Sequence, residues 1–267
     1  MGLITLTTDM GLQDHYDAVV KATILKECPD ARIIDISHQI PPFDIARASF
    51  VLKNAFRDFP EGSVHILGVD PDLEEGKPHL IARYQGQYFI AADNGILSLI
   101  FEEKPEGIVV IDRDISREDI TFPTKGVFAK VACRIVQGTS MEELGSSTDD
   151  LVEKSRYRPV VDGNTLRGTI IHIDSYDNAI TNIDKALFED IGQGRSFTLR
   201  FRSSRNEIRK ISDHYSDVPP GENVALFGSS GYLEVAINKG APGSGEGARR
   251  LFGLKQDDSV HVEFHDR

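Results

Sequence analysis

The chain has no tryptophan and only two cysteines, Cys28 and Cys133, in 267 residues. Two cysteines so far apart cannot build a disulfide framework or a zinc site, and they fit a reducing, cytoplasmic compartment. No apolar run approaches the roughly 20 residues of a membrane span. The N-terminus lacks a basic segment ahead of a hydrophobic core, so no secretory signal is expected. Met1-Gly2 opens like a myristoylation site, but Leu6 stands where Ser or Thr is required. Basic residues are scarce too: 30 Lys and Arg against 42 Asp and Glu give a formal net charge of −12. A duplex-binding protein needs a basic face, so neither nucleic acid nor a membrane is expected as a partner.

What is present is globular composition, 40% apolar and 27% charged, in a chain long enough for one large domain or two modest ones. Over the first 150 residues strand and helix patterns alternate. Strand-like runs occupy 4–8, 33–36, 64–69, 80–84, 88–92 and 108–111. Four-residue apolar spacing predicts helices over 17–28, 45–56 and 126–137. That alternation predicts an α/β domain over 1–150, a mainly parallel sheet with helices on both faces. The polar stretch 145–158 reads as a linker. Short β-branched runs follow at 169–173, 179–183, 197–201, 224–227, 232–237 and 260–264. They predict a smaller β-barrel or sandwich over 159–267.

Four stretches carry more polar chemistry than folding requires. "TTDMGLQDHYD" (7–17) sets Asp9, Asp14 and Asp17 at a strand's C-terminal end or in the helix start behind it. Asp caps helices and fills turns, but open α/β sheets also bind ligands at the carboxyl ends of their strands. "GVDPDLEEGKPH" (68–79) ends another strand in Asp70, which Pro71 biases toward extended backbone. "IDSYDNAITNI" (173–183) sets Asp174, Tyr176, Asp177 and Asn178 in a turn between strands. "FGSSGYLEVAINKG" (227–240) leads a small, hydroxyl-rich turn into a strand. Together they offer carboxylates for ribose hydroxyls or an ammonium group, an amide for a purine edge, and small residues that admit a ligand to backbone. The inventory suits a nucleoside carrying an amino acid.

Seven stretches in order extend this reading: "TTDMGLQD", "CPDARIIDISHQIPPFDI", "FPEGSVHILGVDP", "YFIAADNGILS", "IDSYDNAITNI", "YSDV" and "SSGYLEVAINKG". In them the chain resembles the S-adenosylmethionine (SAM) hydroxide adenosyltransferase family, related to SAM-dependent fluorinases and chlorinases. The resemblance runs nearly end to end. It implies an N-terminal α/β domain, a C-terminal β-barrel, and homotrimers with active sites between the N-domain of one subunit and the C-domain of the next. It implies hydrolysis of SAM to adenosine and L-methionine by in-line attack of water at C5′, with SAM as substrate and neither cofactor nor metal. By position, Asp9 would hold the ribose hydroxyls, Asp14 the methionine end, and Phe43 would pack on the ribose. Asp174 would meet the ammonium, Tyr176 would lie along the adenine, Asn178 would bond its edge, and Tyr215 would line its pocket. Ser229 would contact the methionine carboxylate and the backbone near Lys239 the adenine.

The family's hydrolases surround the water with an Asp–Arg–His trio. Here Asp70 is present, Lys77 stands at the arginine position, and "TFPTKG" puts Pro123 at the histidine position. Lys lacks the planar fork of Arg and Pro has no side-chain donor. Asp70 and Lys77 are therefore the catalytic candidates, and a SAM- or adenosine-binding protein with little turnover is the alternative reading. The halogenase relatives lack the carboxylate at the Asp70 position, and a halide beside Asp70 would be repelled.

Other features have simpler readings. "GAPGSGEGARR" (240–250) resembles a phosphate loop but lacks the Lys-Ser/Thr ending. His261, Glu263 and His265 alternate along a strand, where a solvated face is commoner than a metal site. Ser212-Asp213-His214 are adjacent in sequence, which is not triad geometry. Asp93-Asn94-Gly95 reads as a turn and helix cap, and Asp112 and Asp114 as solvated turn residues.

Overall fold

Alternation of apolar residues along the first strands decides which helix each sheet face meets. The computed structural model describes residues 2–73, 76–112, 121–155, 158–201, 203–240 and 247–266, with backbone alone over 203–206. The chain divides into two compact units, Met1–Ser155 and Arg156–Arg267.

The first unit runs β1 (Leu3–Thr8), α1 (Tyr16–Glu27), β2 (Arg32–Ser37), α2 (Ile45–Lys53), β3 (Val64–Gly68), β4 (His79–Tyr84), β5 (Gln87–Ala92), α3 (Ile96–Ile100), β6 (Gly107–Ile111), α4 (Ala129–Val136) and β7 (Gly145–Thr148). Its sheet has the order β2-β1-β3-β5-β4-β6-β7. The first four strands are parallel; β4, β6 and β7 each pair antiparallel with the preceding strand in that order. Ile66, Ile81 and Ile90 face α1 and α4 through Val20, Ile24, Val131 and Ile135. Their sequence neighbours Leu67, Leu80 and Phe89 face the other way, onto Ala48 and Leu52 of α2 and Ile96 and Leu97 of α3. Each large side chain buried in this way stabilises the fold by about 1.5–3 kcal/mol.

Three local expectations change. The helix expected over 45–56 stops at Lys53, because the Asn54 side-chain amide donates to Phe50 O at 2.8 Å and a separate turn, Phe56–Asp58, follows. The helix expected over 126–137 opens instead with a π turn, Thr124–Phe128, ahead of α4. The linker expected over 145–158 begins as a strand, since β7 pairs with β6 as the sheet's edge. Gly145 permits this pairing: a Cβ there would lie 1.9 Å from Val110 O. Cys28 and Cys133 are free and buried, and burial pushes the Cys133 thiol up to about 12.

The second unit runs β8 (Val160–Asp162), β9 (Thr165–Ile173), β10 (Ala179–Asp184), α5 (Lys185–Gly192), β11 (Phe197–Phe201), β12 (Ser203–Ile208), β13 (Asn223–Phe227), β14 (Tyr232–Ile237), α6 (Ala248–Phe252) and β15 (Ser259–Phe264). Its strands form one antiparallel sheet in the order β12-β11-β15-β9-β10-β14-β13, with β8 on β9. Ile211, just past β12, bridges to Ala225 of β13. The two ends of the order thus meet, and the sheet nearly closes into a barrel. Leu166, Ile183, Leu199, Leu233, Val262 and Phe264 fill it. Among the described residues no helix is long and apolar enough to cross a membrane.

Candidate active site

In the first sheet β1 lies between β2 and β3, and the two successive crossovers, β1 to β2 through α1 and β2 to β3 through α2, run over opposite faces. The crevice outside the carboxyl ends of β1 and β3 is therefore a topological switch point, where open α/β sheets bind ligands. Asp9 follows β1 directly and Asp70 stands two residues past β3. Asp9 Oδ2 accepts the Phe43 N–H at 2.8 Å, and its carboxylate also accepts the Asp70 N–H. Burial holds the Asp9 carboxyl above the usual range; these N–H groups oppose the shift and the Asp70 charge adds to it.

Asp70 is at φ +47° and Phe43 at φ +64°. The extended backbone that Pro71 favours at Asp70 is thus not what forms. Left-handed backbone costs an L-residue about 1–2 kcal/mol and persists where neighbours over-determine it. Here they do. Asn94 Nδ2 donates to Asp70 O at 2.9 Å and to Val69 O at 3.3 Å, and His79 Nε2 lies 2.9 Å from Pro71 O. The carbonyl only accepts, so that histidine nitrogen carries the proton.

Lys77 is half-buried just ahead of β4, and Pro123 is buried at the head of the π turn. Thr124 behind it is fully buried, and its Oγ1 has no hydrogen-bond partner among the described residues. It packs where a Cβ on Gly68 would lie, 2.7 Å away. Asp14 is exposed on the turn before α1. Asp17 pairs with Lys21, which also holds Asp35, at 3.3 and 2.6 Å.

In the second unit Asp174 organises the turn between β9 and β10. Its Oδ1 accepts the N–H groups of Tyr176 and Asn178, both at 2.9 Å, and its Oδ2 accepts from Asn178 Nδ2 at 3.0 Å. Tyr176 is 64% exposed. Asp177, buried and at φ +62°, is held by α6: Arg249 N donates to its carbonyl at 2.9 Å and Arg250 Nε lies 3.4 Å from its carboxylate. Tyr215 donates its hydroxyl to Glu234 Oε1 at 2.7 Å. Burial first, then Glu234, pushes the Tyr215 hydroxyl up. Burial also pushes the Glu234 carboxyl up; the Tyr215 bond opposes that and the Asp174 charge adds to it. Ser229 is exposed on the turn between β13 and β14, and Lys239 is exposed at φ +58° beyond β14.

Hydrogen bonds therefore join Asp9, Phe43 and Asp70 in one unit, and Asp174 with Asn178 in the other, while Tyr215 reaches the Asp174 field through Glu234. Sequence reasoning missed Glu234, for which the signal is one charge inside the apolar run "YLEVAI". It also gave Asn94 only a cap role; Asn94 Oδ1 does accept the Ile96 N–H, but its amide reaches the Asp70 turn. The remaining features take part in ordinary structure. Glu263 pairs with Arg200, His265 bonds Thr198, and Asp217 accepts the N–H groups of Asp213 and His214. Asp112 accepts from Ser146. Asp114 and residues 241–246 of the glycine-rich stretch lie outside the described residues.

A switch-point crevice lined with carboxylates, on a chain whose second unit is a nearly closed barrel with its own acidic turn, defines a two-domain binder of small polar ligands. The chain belongs to the SAM hydroxide adenosyltransferase family: residues 4–145 match the model of its N-terminal domain and residues 168–261 that of its C-terminal domain. It is 30% identical to the (R)-S-adenosyl-L-methionine hydrolase of Thermus thermophilus over 96% of this chain and 97% of that one. It is 35% identical to the enzyme of the same name from Methanocaldococcus jannaschii over 88% of each. A fluorinase from Nocardia brasiliensis is 27% identical over 88% of this chain and 90% of its own. The crystal structure of an uncharacterized conserved protein from Thermotoga maritima superposes with a TM-score of 0.86 at 29% identity, covering 97% of this chain and 99% of that one.

Proposed function

We propose that the protein hydrolyses S-adenosylmethionine to adenosine and L-methionine. The observation that carries the reading is the Asp9–Asp70 pair at the β1/β3 switch point of a chain in this family, two of whose members at 30% and 35% identity are named (R)-S-adenosyl-L-methionine hydrolase. Water attacks C5′, the C5′–sulfur bond breaks with its electron pair passing to methionine sulfur, and the water proton leaves through Asp70. The sulfonium is already a good leaving group, so the site contributes by holding water in line and excluding competitors. No cofactor enters. Asp9 binds the ribose diol with Phe43 against the sugar, and Lys77 orients the water beside Asp70. Asp174 takes the ammonium, Asn178 the adenine edge, and Tyr176 and Tyr215 its faces. Asp14 and Ser229 serve the methionine end and the backbone near Lys239 the adenine.

The working form is a homotrimer whose sites join Asp9 and Asp70 of one subunit to Asp174 and Asn178 of the next. Large apolar side chains exposed beside each cluster support this, Phe43 at 69% and Leu12 at 59% on one unit and Tyr176 at 64% on the other. Two buried free cysteines suit the reducing cytoplasm. Pro123, with no side-chain donor, favours one second reading, a SAM or adenosine binder with little turnover. Chromatography of adenosine and methionine released from each SAM epimer, alongside calorimetric binding, tests both. Release above the uncatalysed background establishes the hydrolase; tight binding without release establishes the binder.

A further inference from the structure

We propose that Asn94 and His79 are positioning residues for the reaction, holding the Val69-Asp70-Pro71 turn by its three carbonyls and so aiming the Asp70 carboxylate. This rests on the reading that Asp70 holds the attacking water. Three successive carbonyl oxygens of this turn are each taken by a buried side chain, Val69 O and Asp70 O by Asn94 and Pro71 O by His79. The remaining polar backbone group at Asp70, its N–H, goes to the Asp9 carboxylate. Asp enters left-handed backbone more readily than most residues, but Pro71 favours extended backbone ahead of it, so the φ of +47° is held against that preference by these partners.

The partners are themselves fixed. Asn94 is 5% exposed, and its Oδ1 accepts the Ile96 N–H at 3.1 Å, which anchors the carboxamide to the start of α3. The His79 ring, 3% exposed, meets Phe128 of the π turn edge-on with centroids 4.8 Å apart. The Asp70 turn is thereby clamped from β5 on one side and β4 on the other. A misplacement of about 1 Å in a reacting geometry can cost on the order of a hundredfold in rate, which is what a relaxed turn would bring.

The test uses steady-state turnover of SAM by the full-length protein, with thermal melts to confirm folding. Asn94→Asp keeps an oxygen that can accept from Ile96 but loses the amide donor, and Asn94→Ser keeps a hydroxyl that can accept from Ile96 but is too short to donate to the Asp70 carbonyl as well; His79→Leu loses its donor and His79→Gln keeps one. We expect the first three to lower kcat about 10- to 100-fold with KM within about threefold, and His79→Gln to recover part of the loss. Placed in an Asp70→Asn background the same changes should cost less than about threefold more, because their effect passes through that carboxylate. Equal losses in both backgrounds would overturn the proposal, since the two residues would then act through packing alone. An Asp70→Asn variant as fast as the parent would sink the catalytic reading instead. In that event the crystal structure of Asn94→Ser decides the positioning role. Asp70 leaving its left-handed φ supports the clamp, and an unmoved Asp70 overturns it.

Discussion

Asp70 is the side chain on which the proposed chemistry turns, because it can accept a water proton and Pro123 cannot. Asp70→Asn should lower kcat about 10²- to 10⁴-fold while SAM affinity stays nearly intact, since the loss belongs to the transition state. Lys77→Arg should be tolerated or raise turnover, as a planar fork holds water and carboxylate together. Rapid-quench rates paired with calorimetry read both, and undiminished hydrolysis by Asp70→Asn would end this mechanism. Recognition is a separate matter. Asn178 is buried with one amide hydrogen bond to Asp174, and Asn178→Ala should weaken SAM binding about five- to a hundredfold, the cost of roughly 1–3 kcal/mol for partners left unpaired. Unchanged affinity in a folded variant would remove it from the pocket. At this scale the strand-end placement of Asp9 and Asp70 is legible in sequence, because an apolar β run that stops at a carboxylate marks the end of a strand. The left-handed φ at Asp70 is not legible, for its causes lie 9 and 24 residues away in His79 and Asn94.

Elements were read by their period, and the misreadings fall where a period is broken from outside. The four-residue spacing of α2 continues past Lys53, but the Asn54 amide ends the helix. The five residues of α3 are too few to show any period. Gly145–Thr148 reads as linker because an edge strand with one solvated side needs few apolar residues. Strand β3 holds a less visible feature. His65 in its middle is fully buried, with Nδ1 2.7 Å from Thr5 Oγ1 and Nε2 2.7 Å from Gln87 Oε1. Burial, opposed by the Gln87 bond, pushes its pKa down to about 4 from 6.5. A folded-state value below the unfolded one means the unfolded chain takes up the proton first. The stability this neutral histidine contributes is therefore complete above pH 6.5 and is lost as pH falls from 6.5 toward 4, at about 1.4 kcal/mol per pH unit. His65→Leu should start less stable, with Thr5 and Gln87 unpaired, yet lose about 2 kcal/mol less than the parent between pH 7 and pH 5. Urea unfolding at the two pH values measures this, and equal losses in parent and variant would show that His65 does not titrate there.

For the whole molecule the proposed function requires two clusters on separate units to serve one ligand. Each cluster is complete in its own terms: Asp9, Phe43 and Asp70 are tied by backbone hydrogen bonds within the first unit, and Asp174 with Asn178 within the second. On the proposed reading each is also chemically half of what SAM requires, a diol site with an acceptor for water on one side and ammonium and purine sites on the other. In the proposed trimer a site takes its first half from one subunit and its second from the next, a heterologous contact that closes a ring. Asp9→Ala damages only the first half and Asn178→Ala only the second, so with SAM well below the parent's KM each variant alone should keep about a fifth of the parent's activity or less. When the two are mixed at equal ratio and allowed to exchange, a site with both halves intact arises wherever an Asn178→Ala subunit supplies the first half and an Asp9→Ala subunit the second. Random assembly makes that about a quarter of all sites, so activity should climb toward about a quarter of the parent's as exchange proceeds. Native mass spectrometry of differently tagged subunits follows the exchange on the same timescale. Complete exchange with no gain in adenosine release would mean that each chain builds its site alone, and that the apolar side chains exposed beside the clusters serve something other than assembly.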